Sequence, residues 1–354
     1  MIFFKRFKNF IYYVLYLCIS TIILLELIFR ILPTSTPLPL KSVTDKNDIL
    51  RYDAHQRSTF SLGKDFYQIV TKTTNNYGFF SSYDYIKNSK PDLVVIGDSM
   101  IEAAQIKNED TFGEIITKLK PSLSVYQMGV SGIALPQYLK MLQFADNEFY
   151  AKHYIISIVS NDFNESICDY KKKEGTWCFN KNFELEFKPF DGYSLKRKIA
   201  RNSAFARYLV FNIGISWREV LQKINLNDPG LNDTIGIKNE ITDKAEEILL
   251  SYKAIDKFLE KIKDLNLDQK VTLLIDTDRE KIYKDYVNND YNTKMRDKLI
   301  KSAKKKDIHY IDLRPIFEND YRKNNKKFDF KTDGHWNEYS HSIIANTFLS
   351  LQKK

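Results

Sequence analysis

The sequence predicts an α/β protein in which a five-stranded parallel sheet is covered by helices on both faces, as a three-layer sandwich. Short apolar runs alternate with amphipathic helical patterns from Pro91 onwards, and strands separated by helices are typical of parallel βαβ units. The chain has 354 residues, of which 43% are hydrophobic. This length and composition suffice to bury a core and exclude an intrinsically disordered chain.

Five segments have the length and apolar composition of strands in a buried parallel sheet. They are Leu93–Ile96, Leu123–Met128, Tyr154–Val159, Val271–Ile275 and His309–Leu313. Helical patterns occupy six further segments, Thr111–Leu119, Pro136–Phe144, Ser203–Asn212, Thr242–Leu265, Thr293–Lys304 and Asn337–Leu351. Residues 164–240 interrupt the alternation, and we interpret them as an irregular insertion that contributes to the substrate region.

The N-terminal segment has the pattern of a membrane helix. Residues 1–9 carry three basic side chains, and Phe10–Leu25 then run without a charge. The apolar stretch continues to Pro33, interrupted by Glu26 and Arg30, and about 20 residues of helix span about 30 Å of hydrocarbon. Glu26 and Arg30 are spaced i,i+4, so they share a helix face and can pair. Because basic residues favour the cytoplasmic side, we predict a single-pass helix with its N-terminus inside.

The alternative for this segment is a cleaved secretory signal peptide, which also begins with basic residues. No small-x-small cleavage site follows the apolar run closely, so we favour the uncleaved anchor. The predicted organisation is a cytoplasmic tip and anchor over residues 1–32, a linker and lead-in over 33–90, and the main domain over 91–354. The main domain would then lie outside the cytoplasmic membrane, in the periplasm or at the cell surface.

The net charge of +9 is spread along the chain. Lysine runs at 171–173 and 304–306 are interpreted as solvated faces, because neither zinc-finger spacing nor an aromatic-plus-basic signature accompanies them. We therefore expect no nucleic-acid partner, whereas a basic surface also suits an anionic membrane or an acidic glycan.

The three cysteines divide into two groups. Cys18 lies in the predicted membrane helix, and Cys168 and Cys178 flank a short polar loop. These two are candidates for a local disulfide in an oxidising compartment, and the alternative is two free thiols. The sequence shows no Cys/His cluster with the spacing of metal ligands, and we expect neither a metal nor an organic cofactor.

The ends of the predicted strands carry the residues of chemical interest. Ser99 follows the first strand, Gly132 the second and Asn161 the third. Asp333 and His335 come just before the last helix. Because sites in open parallel sheets lie at the carboxyl ends of the strands, we expect these residues to converge on one edge. A serine, a glycine turn, an asparagine and an Asp/His pair are what acyl transfer through a serine requires.

The chemistry of these residues assigns a role to each. The hydroxyl of Ser99 is the candidate nucleophile, and His335 is the candidate base, held in orientation by Asp333. The backbone N–H groups of Ser99 and Gly132 and the side-chain amide of Asn161 are candidate oxyanion donors. Each such donor is worth roughly 3–4 kcal/mol of barrier in a well-studied protease.

Together the four blocks resemble the SGNH, or GDSL-type, hydrolases, a family named for four residues in four blocks. The matching residues are Ser99 in Gly-Asp-Ser, Gly132 in Val-Ser-Gly, Asn161 in Ser-Asn-Asp and His335 in Asp-Gly-His-Trp-Asn. They occur in the family's order, and the resemblance covers about residues 91–350. It implies a flavodoxin-like sheet and serine-dependent ester chemistry.

The chain resembles one bacterial branch of this family more closely. Its members carry one N-terminal membrane anchor that ends in a stretch similar to Glu26–Leu32, and they are associated with acylation or deacylation of extracytoplasmic polysaccharide. The spacing of Asp333 and His335 resembles that of alginate-acetylation proteins. This resemblance implies an acylated carbohydrate or surface polymer as substrate, and polysaccharide-assembly partners.

The sequence departs from the family pattern at three places. Many members place the acid three residues before the histidine, where this chain has Thr332, so the acid is Asp333 or, more distantly, Asp329. Ala103 stands where a glycine usually follows the first block, and Gln127 stands where an asparagine usually opens the second. We expect these two differences to affect the shape of the loops more than the chemistry.

Each of these residues also has a purely structural interpretation that involves no catalysis. Asp98 and Ser99 are good helix caps, and Asp98 supports the turn in either interpretation. Gly132 suits a positive φ, and Asn161 can cap its own loop. The four blocks in register favour catalysis, and His341 is interpreted as structural.

The predicted function is a membrane-anchored extracytoplasmic serine esterase or O-acyltransferase that acts on ester groups of carbohydrate, O-acetyl groups foremost. One alternative is a lipid-ester or thioester hydrolase. An alternative of another class is a non-catalytic glycan-binding scaffold.

Overall fold

A five-stranded parallel sheet lies at the centre of the computed structural model, which describes residues 2–37, 40–41, 49–171, 174–190, 192, 195–214, 233–286 and 288–352. Its strands are β1 (Leu93–Gly97), β2 (Val125–Gly129), β3 (Tyr154–Ile158), β4 (Val271–Ile275) and β5 (His309–Asp312). Their order in the sheet is β2-β1-β3-β4-β5, and every pairing is parallel. This is the order of flavodoxin-like doubly wound sheets, and it confirms the predicted fold class.

The apolar runs that predicted the strands reflect burial on both faces. Every residue of β1, β2, β3 and β4 is buried, whereas the edge strand β5 is only partly covered. Strand β2 begins two residues later than predicted, because Leu123 donates its N–H to Lys120 O at 2.9 Å in a turn before the strand. Helices on both faces account for the near-continuous apolar character of such strands.

The helices form the outer two layers. One buried cluster joins the sheet to helices Leu135–Phe149, Asp233–Asp264 and Tyr291–Lys306. The other joins it to helices Phe112–Leu119, Leu313–Asn324 and Glu338–Leu351. Two short helices, Ser99–Glu102 and Arg279–Tyr283, follow β1 and β4 directly.

Some helix boundaries differ from the prediction. The helix predicted over Thr242–Leu265 begins earlier, at Asp233, and the helix predicted over Pro136–Phe144 ends later, at Phe149. The helix Leu313–Asn324 was not predicted, although Asp312 marks its start. The Asp312 carboxylate accepts the Arg314 N–H at 3.1 Å, which is the capping bond that aspartate makes at a helix N-terminus.

Three two-stranded sheets lie outside the main sheet in the described part of the chain, and the sequence analysis did not predict them. They are Leu40–Lys41 with Arg51–Tyr52, Arg57–Leu62 with Gln68–Thr73, and Thr176–Phe179 with Leu185–Lys188. Beside the last pair, Cys168 and Cys178 form a disulfide. Short strands rich in polar residues lack the apolar runs that identify a buried strand, which explains why they were missed.

The interpretation of the lysine run at 171–173 as a solvated face is wrong for Lys171. Lys171 is 2% exposed rather than solvated, and its ammonium lies 3.8 Å from a Glu165 carboxylate oxygen. Residues 172 and 173 lie outside the described part of the chain. The run at 304–306 is largely exposed, as expected for a solvated face.

The chain forms two compact units. The first comprises residues 1–37, 58–71 and 192–229, and the second comprises 38–57, 72–191 and 230–354, including the sheet. In the first unit, the predicted membrane segment is a helix over Ile2–Ile31, and its part Arg6–Ile31 is long and apolar enough to cross a membrane by length and composition.

The first unit also contains the region predicted as the helix Ser203–Asn212. The short helix Ala204–Arg207 and a π-helical turn Tyr208–Asn212 occupy the predicted span, and a further helix, Leu195–Asn202, precedes it. The remainder of the predicted insertion from 215 to 232 lies outside the described residues.

Candidate active site

The candidate nucleophile lies in the turn that follows β1. The strand ends at Gly97, and the one-turn helix Ser99–Glu102 begins two residues later. A Cβ atom on Gly97 would lie 2.4 Å from a side chain of that helix, so the turn requires glycine there. Asp98 caps the helix, because its carboxylate accepts the Met100 N–H at 2.9 Å and the Ser99 hydroxyl at 3.4 Å.

Asp98 is a buried carboxylate with a shifted pKa. Burial raises its pKa to about 6, while the Met100 N–H and the nearby imidazole of His335 act in the opposite direction. Within the described chain the Ser99 hydroxyl donates to Asp98 and makes no hydrogen bond to His335. Catalytic hydrogen bonds are often formed only when substrate is present, so Ser99 has to rotate its hydroxyl before His335 can receive the proton.

His335 is oriented by the acid that the sequence favoured. Its Nδ1 atom is hydrogen-bonded to Asp333 Oδ1, and its backbone N–H donates to the same oxygen at 3.0 Å. Burial works against the charged imidazole, but the hydrogen bond and charge of Asp333 raise the pKa of His335 above its usual value. Gln105 donates to the other oxygen of Asp333 at 3.3 Å, so both carboxylate oxygens have a partner.

The more distant acid, Asp329, is occupied elsewhere. Its carboxylate accepts the Tyr283 hydroxyl at 3.0 Å and lies 3.6 Å from the Nε atom of Arg279. Asp333 is therefore the carboxylate that contacts the His335 imidazole.

Two contacts join the loop that carries Asp333 and His335, called here the histidine loop, to the helix Ser99–Glu102, called the serine helix, and to the residues that follow it. The backbone N–H of Trp336 donates to Met100 Sδ at 3.4 Å, directly after Ser99 in the chain. The Gln105 bond to Asp333 is the second contact. Trp336 itself is 1% exposed and its indole N–H donates to Asp276 at 3.2 Å, so it packs beneath the loop.

The two other candidate oxyanion donors lie on neighbouring loops. Gly132 follows β2 with a φ of +71°, a conformation that glycine adopts readily. The ammonium of Lys171 donates to the Gly132 carbonyl at 3.0 Å, in the peptide unit that follows the candidate N–H donor. Asn161 is exposed in the turn Ser160–Asp162 after β3, and Asp162 holds that turn by accepting the Val159 N–H at 2.8 Å.

A buried glutamate joins the serine helix to the glycine loop, and the sequence analysis did not assign it a role. The carboxylate of Glu102 accepts the backbone N–H of Ser131 and, at 3.0 Å, the hydroxyl of Tyr52. A Cβ atom on Gly129 would lie 2.1 Å from the Glu102 nitrogen, so the backbone at the end of β2 and the backbone of the helix Ser99–Glu102 pass in close contact. Glu102 is thus placed to position the peptides on either side of Ser131.

The end of the serine helix explains one departure from the family pattern. Ala103 has a φ of +48°, in the left-handed region that glycine occupies without strain. The ammonium of Lys72 donates to Ala103 O at 2.8 Å and to Glu102 O at 3.3 Å, so it satisfies carbonyls that the end of the helix leaves free. Lys72 is buried, and burial lowers its pKa to about 7.

The second departure also has a structural basis. Gln127 is buried in β2, where its side-chain carbonyl accepts the Gly113 N–H at 3.0 Å and its amide donates to Ile101 O at 2.7 Å. The longer side chain therefore ties the serine helix to the adjacent helix Phe112–Leu119.

A cavity of about 320 Å³ lies at the carboxyl ends of β3 and β4. Asn161 lines it, together with Met100, which follows Ser99, and Gly334, which precedes His335, whereas no residue of the Gly132 block is among its described lining residues. Other charged and amide side chains also line the cavity, namely Asp276, Asp278, Arg279, Glu280, Lys281, Asn292, Arg296, Arg314 and Asp329. Phe163 is the single aromatic residue among the described lining residues.

Among the described residues, no group of three or more His, Cys, Asp and Glu side chains is placed to hold a metal ion. His341, outside the site, is buried, and its Nδ1 atom accepts the Phe112 N–H at 3.1 Å. Burial lowers its pKa to about 3, so it is a neutral structural histidine, as predicted.

Comparison with known proteins gives structural matches only. No family model and no curated protein sequence matches the chain. A lipolytic protein of the G-D-S-L family from Veillonella parvula has a TM-score of 0.38 and 13% identity, over 74% of this chain and 98% of that one. An acetyl xylan esterase has a TM-score of 0.40 and 15% identity, over 73% and 98% of the two chains.

A further acetyl xylan esterase, from Geobacillus stearothermophilus, has a TM-score of 0.38 and 11% identity, over 74% of this chain and 94% of that one. This chain is similar to these proteins at low identity.

Proposed function

We propose that this chain is a serine esterase or O-acyltransferase of the SGNH type. The observation that carries the proposal is the hydrogen bond between Asp333 and His335, in a loop that Trp336 and Gln105 hold against the Ser99 helix. A histidine whose Nδ1 atom is held by a carboxylate presents its Nε2 atom as a base. Nucleophile, base and orienting acid therefore lie at the carboxyl edge of the sheet, where parallel sheets carry their sites.

The first half of the proposed reaction forms an acyl-serine. Ser99 Oγ attacks the carbonyl carbon of the ester while Nε2 of His335 accepts the hydroxyl proton. The tetrahedral oxyanion receives hydrogen bonds from the N–H groups of Ser99 and Gly132 and from the amide of Asn161. Its collapse breaks the ester C–O bond, and the departing alcohol oxygen takes the proton from His335.

The second half regenerates the serine. Water in an esterase, or a sugar hydroxyl in an acyltransferase, attacks the acyl-serine carbonyl and gives its proton to His335. The intermediate then expels Ser99 Oγ, which takes that proton back. Asp333 stabilises the imidazolium in both halves, and it stays ionised because His335 lowers its pKa against the effect of burial.

The cavity supports a polar substrate over a long acyl chain. Charged and amide side chains make up about half of its described lining residues, and Phe163 is its single described aromatic residue. Burying an acyl chain against such groups would remove their solvation without replacing it. Hydroxyl groups of a sugar can instead exchange hydrogen bonds with them, so we infer a carbohydrate ester, with O-acetyl as the acyl group.

The proposed location is the outer face of the cytoplasmic membrane. The helix Arg6–Ile31 has the length and composition of a membrane span, and basic residues precede it. The disulfide between Cys168 and Cys178 supports an oxidising compartment. Alkaline phosphatase fused to the C-terminus should be active, because it too needs oxidation, and an inactive fusion would place the domain inside.

Fluorophosphonate labelling of the purified full chain tests the catalytic proposal. The wild-type protein should be labelled, and Ser99→Ala should not, because only an activated serine reacts. Ser122→Ala is the matched control, since Ser122 is exposed and precedes β2, whereas the Gly132 block follows the other end of that strand. Equal labelling of wild type and Ser99→Ala, or no labelling of either, would leave the glycan-binding scaffold as the better description.

A second experiment tests the substrate. Arg314 lines the cavity, whereas Arg322 is exposed on the same helix. Arg314→Ala should raise KM for an acetylated sugar by roughly tenfold, the effect of losing about 1.4 kcal/mol, without changing p-nitrophenyl acetate hydrolysis. Arg322→Ala should change neither. A preference for long-chain acyl esters would instead favour a lipid-ester or thioester hydrolase.

A further inference from the structure

The segment from residue 195 to 213 exposes large apolar side chains in the first unit. Leu195 is 74% exposed, Ile199 52%, Phe211 49% and Ile213 45%. Leu195 and Ile199 are spaced i,i+4 on the helix Leu195–Asn202, so they share one face. The same nineteen residues contain five Lys or Arg and no Asp or Glu.

Hydrogen bonds to the carboxylate of Glu26 fix this segment to the apolar N-terminal helix. The carboxylate of Glu26 accepts the Ser203 hydroxyl at 2.7 Å and the backbone N–H groups of Ala204 and Phe205, each at 3.1 Å. A carboxylate placed at the start of a helix in this way satisfies N–H groups that would otherwise lack partners. Glu26 therefore has a specific structural role within an otherwise apolar helix.

Further contacts reach the last turn of the apolar helix. The ring of Phe29 stacks on the ring of Tyr208 with centroids 4.2 Å apart. Arg30 donates to the Asn202 carbonyl at 3.3 Å. The segment thus adjoins residues 26 to 30, at the C-terminal end of the helix.

The length of the helix fixes the depth of that end in a bilayer. The helix Ile2–Ile31 has 30 residues, which gives a length of about 45 Å at about 1.5 Å per residue. The hydrocarbon core is about 30 Å thick, and the bilayer with its headgroups is about 40–45 Å. Both ends of the helix therefore lie among the lipid headgroups, and the segment joined to its C-terminal end lies at the same level.

We propose that the 195–213 segment is a membrane-surface element that binds anionic phospholipid headgroups and inserts its apolar face at the interface. This proposal rests on the proposed membrane anchor. Leu195, Ile199 and Phe211 enter the boundary between headgroups and acyl chains, while Lys198, which is exposed beside Ile199, faces the phosphates. A short helix with an apolar face and basic residues is typical of interfacial binding.

Two observations favour lipid over a protein partner as the occupant. The segment adjoins a helix that is itself apolar and has no buried residue in its membrane-length window, so one lipid surface would cover both. Its charge is of one sign, which complements an anionic lipid surface.

Depth-dependent fluorescence quenching in nanodiscs tests the proposal on the full chain. Single-cysteine variants are made on a Cys18→Ser background, since Cys168 and Cys178 are joined in a disulfide. A fluorophore at Ile199→Cys should be quenched by lipids that carry a shallow nitroxide, roughly twofold more than one at Lys198→Cys on the same helix. Adding phosphatidylglycerol to phosphatidylcholine discs should strengthen the quenching at Ile199, and high salt should weaken it.

A probe at Leu17→Cys, in the middle of the apolar helix, separates the two proposals. Strong quenching at Leu17 by a deep nitroxide, with none at Ile199, would overturn the surface element and leave the anchor standing. No quenching at Leu17 would overturn both. Quenching at Ile199 that ignores phosphatidylglycerol and salt would contradict the role of anionic headgroups.

Discussion

The hydroxyl of Tyr52 donates a 3.0 Å hydrogen bond to the carboxylate of Glu102, three residues after Ser99. The same carboxylate accepts the N–H of Ser131, next to Gly132. One buried side chain thus connects the residue that would attack the ester with the loop that would stabilise its oxyanion. Because such loops act through their exact position, Glu102 is a positioning residue in the proposed reaction.

Removing this carboxylate should lower kcat while leaving KM nearly unchanged. A hydrogen bond to a charged group is worth about 1.5–3 kcal/mol, so Glu102→Ala should reduce kcat by roughly 10- to 100-fold. Glu102→Gln keeps an acceptor oxygen and should retain most of the activity, and Tyr52→Phe should have a smaller effect than Glu102→Ala. Steady-state kinetics checks this; a loss of thermal stability with unchanged kcat would instead mean a purely structural role.

The raised pKa of His335 determines how the activity depends on pH. A base must be neutral to accept a proton, so kcat/KM should rise with pH through the folded-state pKa of His335. Because Asp333 raises that pKa, the rise should lie above the range of an ordinary histidine.

The variant Asp333→Asn should shift this rise to lower pH, because the negative charge is lost, and should lower the plateau by roughly 100- to 10,000-fold. Asp329→Asn is the matched control, since Asp329 contacts Tyr283 and Arg279 rather than His335. The assignment fails if Asp329→Asn moves the pH profile and Asp333→Asn does not.

The left-handed conformation of Ala103 should lower the free energy of unfolding, and a glycine at this position should remove that cost. A left-handed conformation costs an L-residue about 1–2 kcal/mol, and its φ is +48°. Ala103→Gly should therefore raise the free energy of unfolding by about 1 kcal/mol without loss of esterase activity. Urea denaturation measures the change, and Ala104→Gly, at the next position, should destabilise or leave the protein unaffected.

Lys72 should make stability depend on pH above neutrality. Its pKa is about 7 in the folded protein, against 10.5 for a lysine in the unfolded chain. Between these values the unfolded chain binds a proton that the folded chain does not, so this group makes folding more favourable as pH rises. The unfolding free energy of wild type relative to Lys72→Met should increase by about 1.4 kcal/mol per pH unit in that window. A constant difference between pH 7 and 10 would show that Lys72 is not buried as described.

The sequence predicted the sheet and the four blocks because their signals are local. An apolar run of four or five residues marks a strand buried on both faces, and the residues at its carboxyl end then share an edge by topology alone. Ser99, Asn161 and His335 could therefore be located without coordinates. The adjacency of Asp333 and His335 in one turn likewise favoured Asp333 over Asp329.

The supporting residues could not be predicted in the same way. Tyr52, Lys72 and Lys171 come from segments that lack periodic patterns, and each acts on a loop that is distant in sequence. A polar side chain that is buried through tertiary contacts has no signature in its own neighbourhood. Glu102 offered one hint, because it directly precedes a family glycine position, but its partners are set by the crossing of two strand ends.

The disulfide has a consequence for the timing of activity. It closes the loop that contains Lys171, and the Lys171 ammonium donates to the Gly132 carbonyl, in the peptide unit after the proposed N–H donor. Reduction would remove the covalent closure of this loop and weaken the support of the glycine turn. We therefore expect the newly made, still reduced protein to have a low kcat that rises only when the disulfide forms, with dithiothreitol and Lys171→Met producing the same loss of kcat.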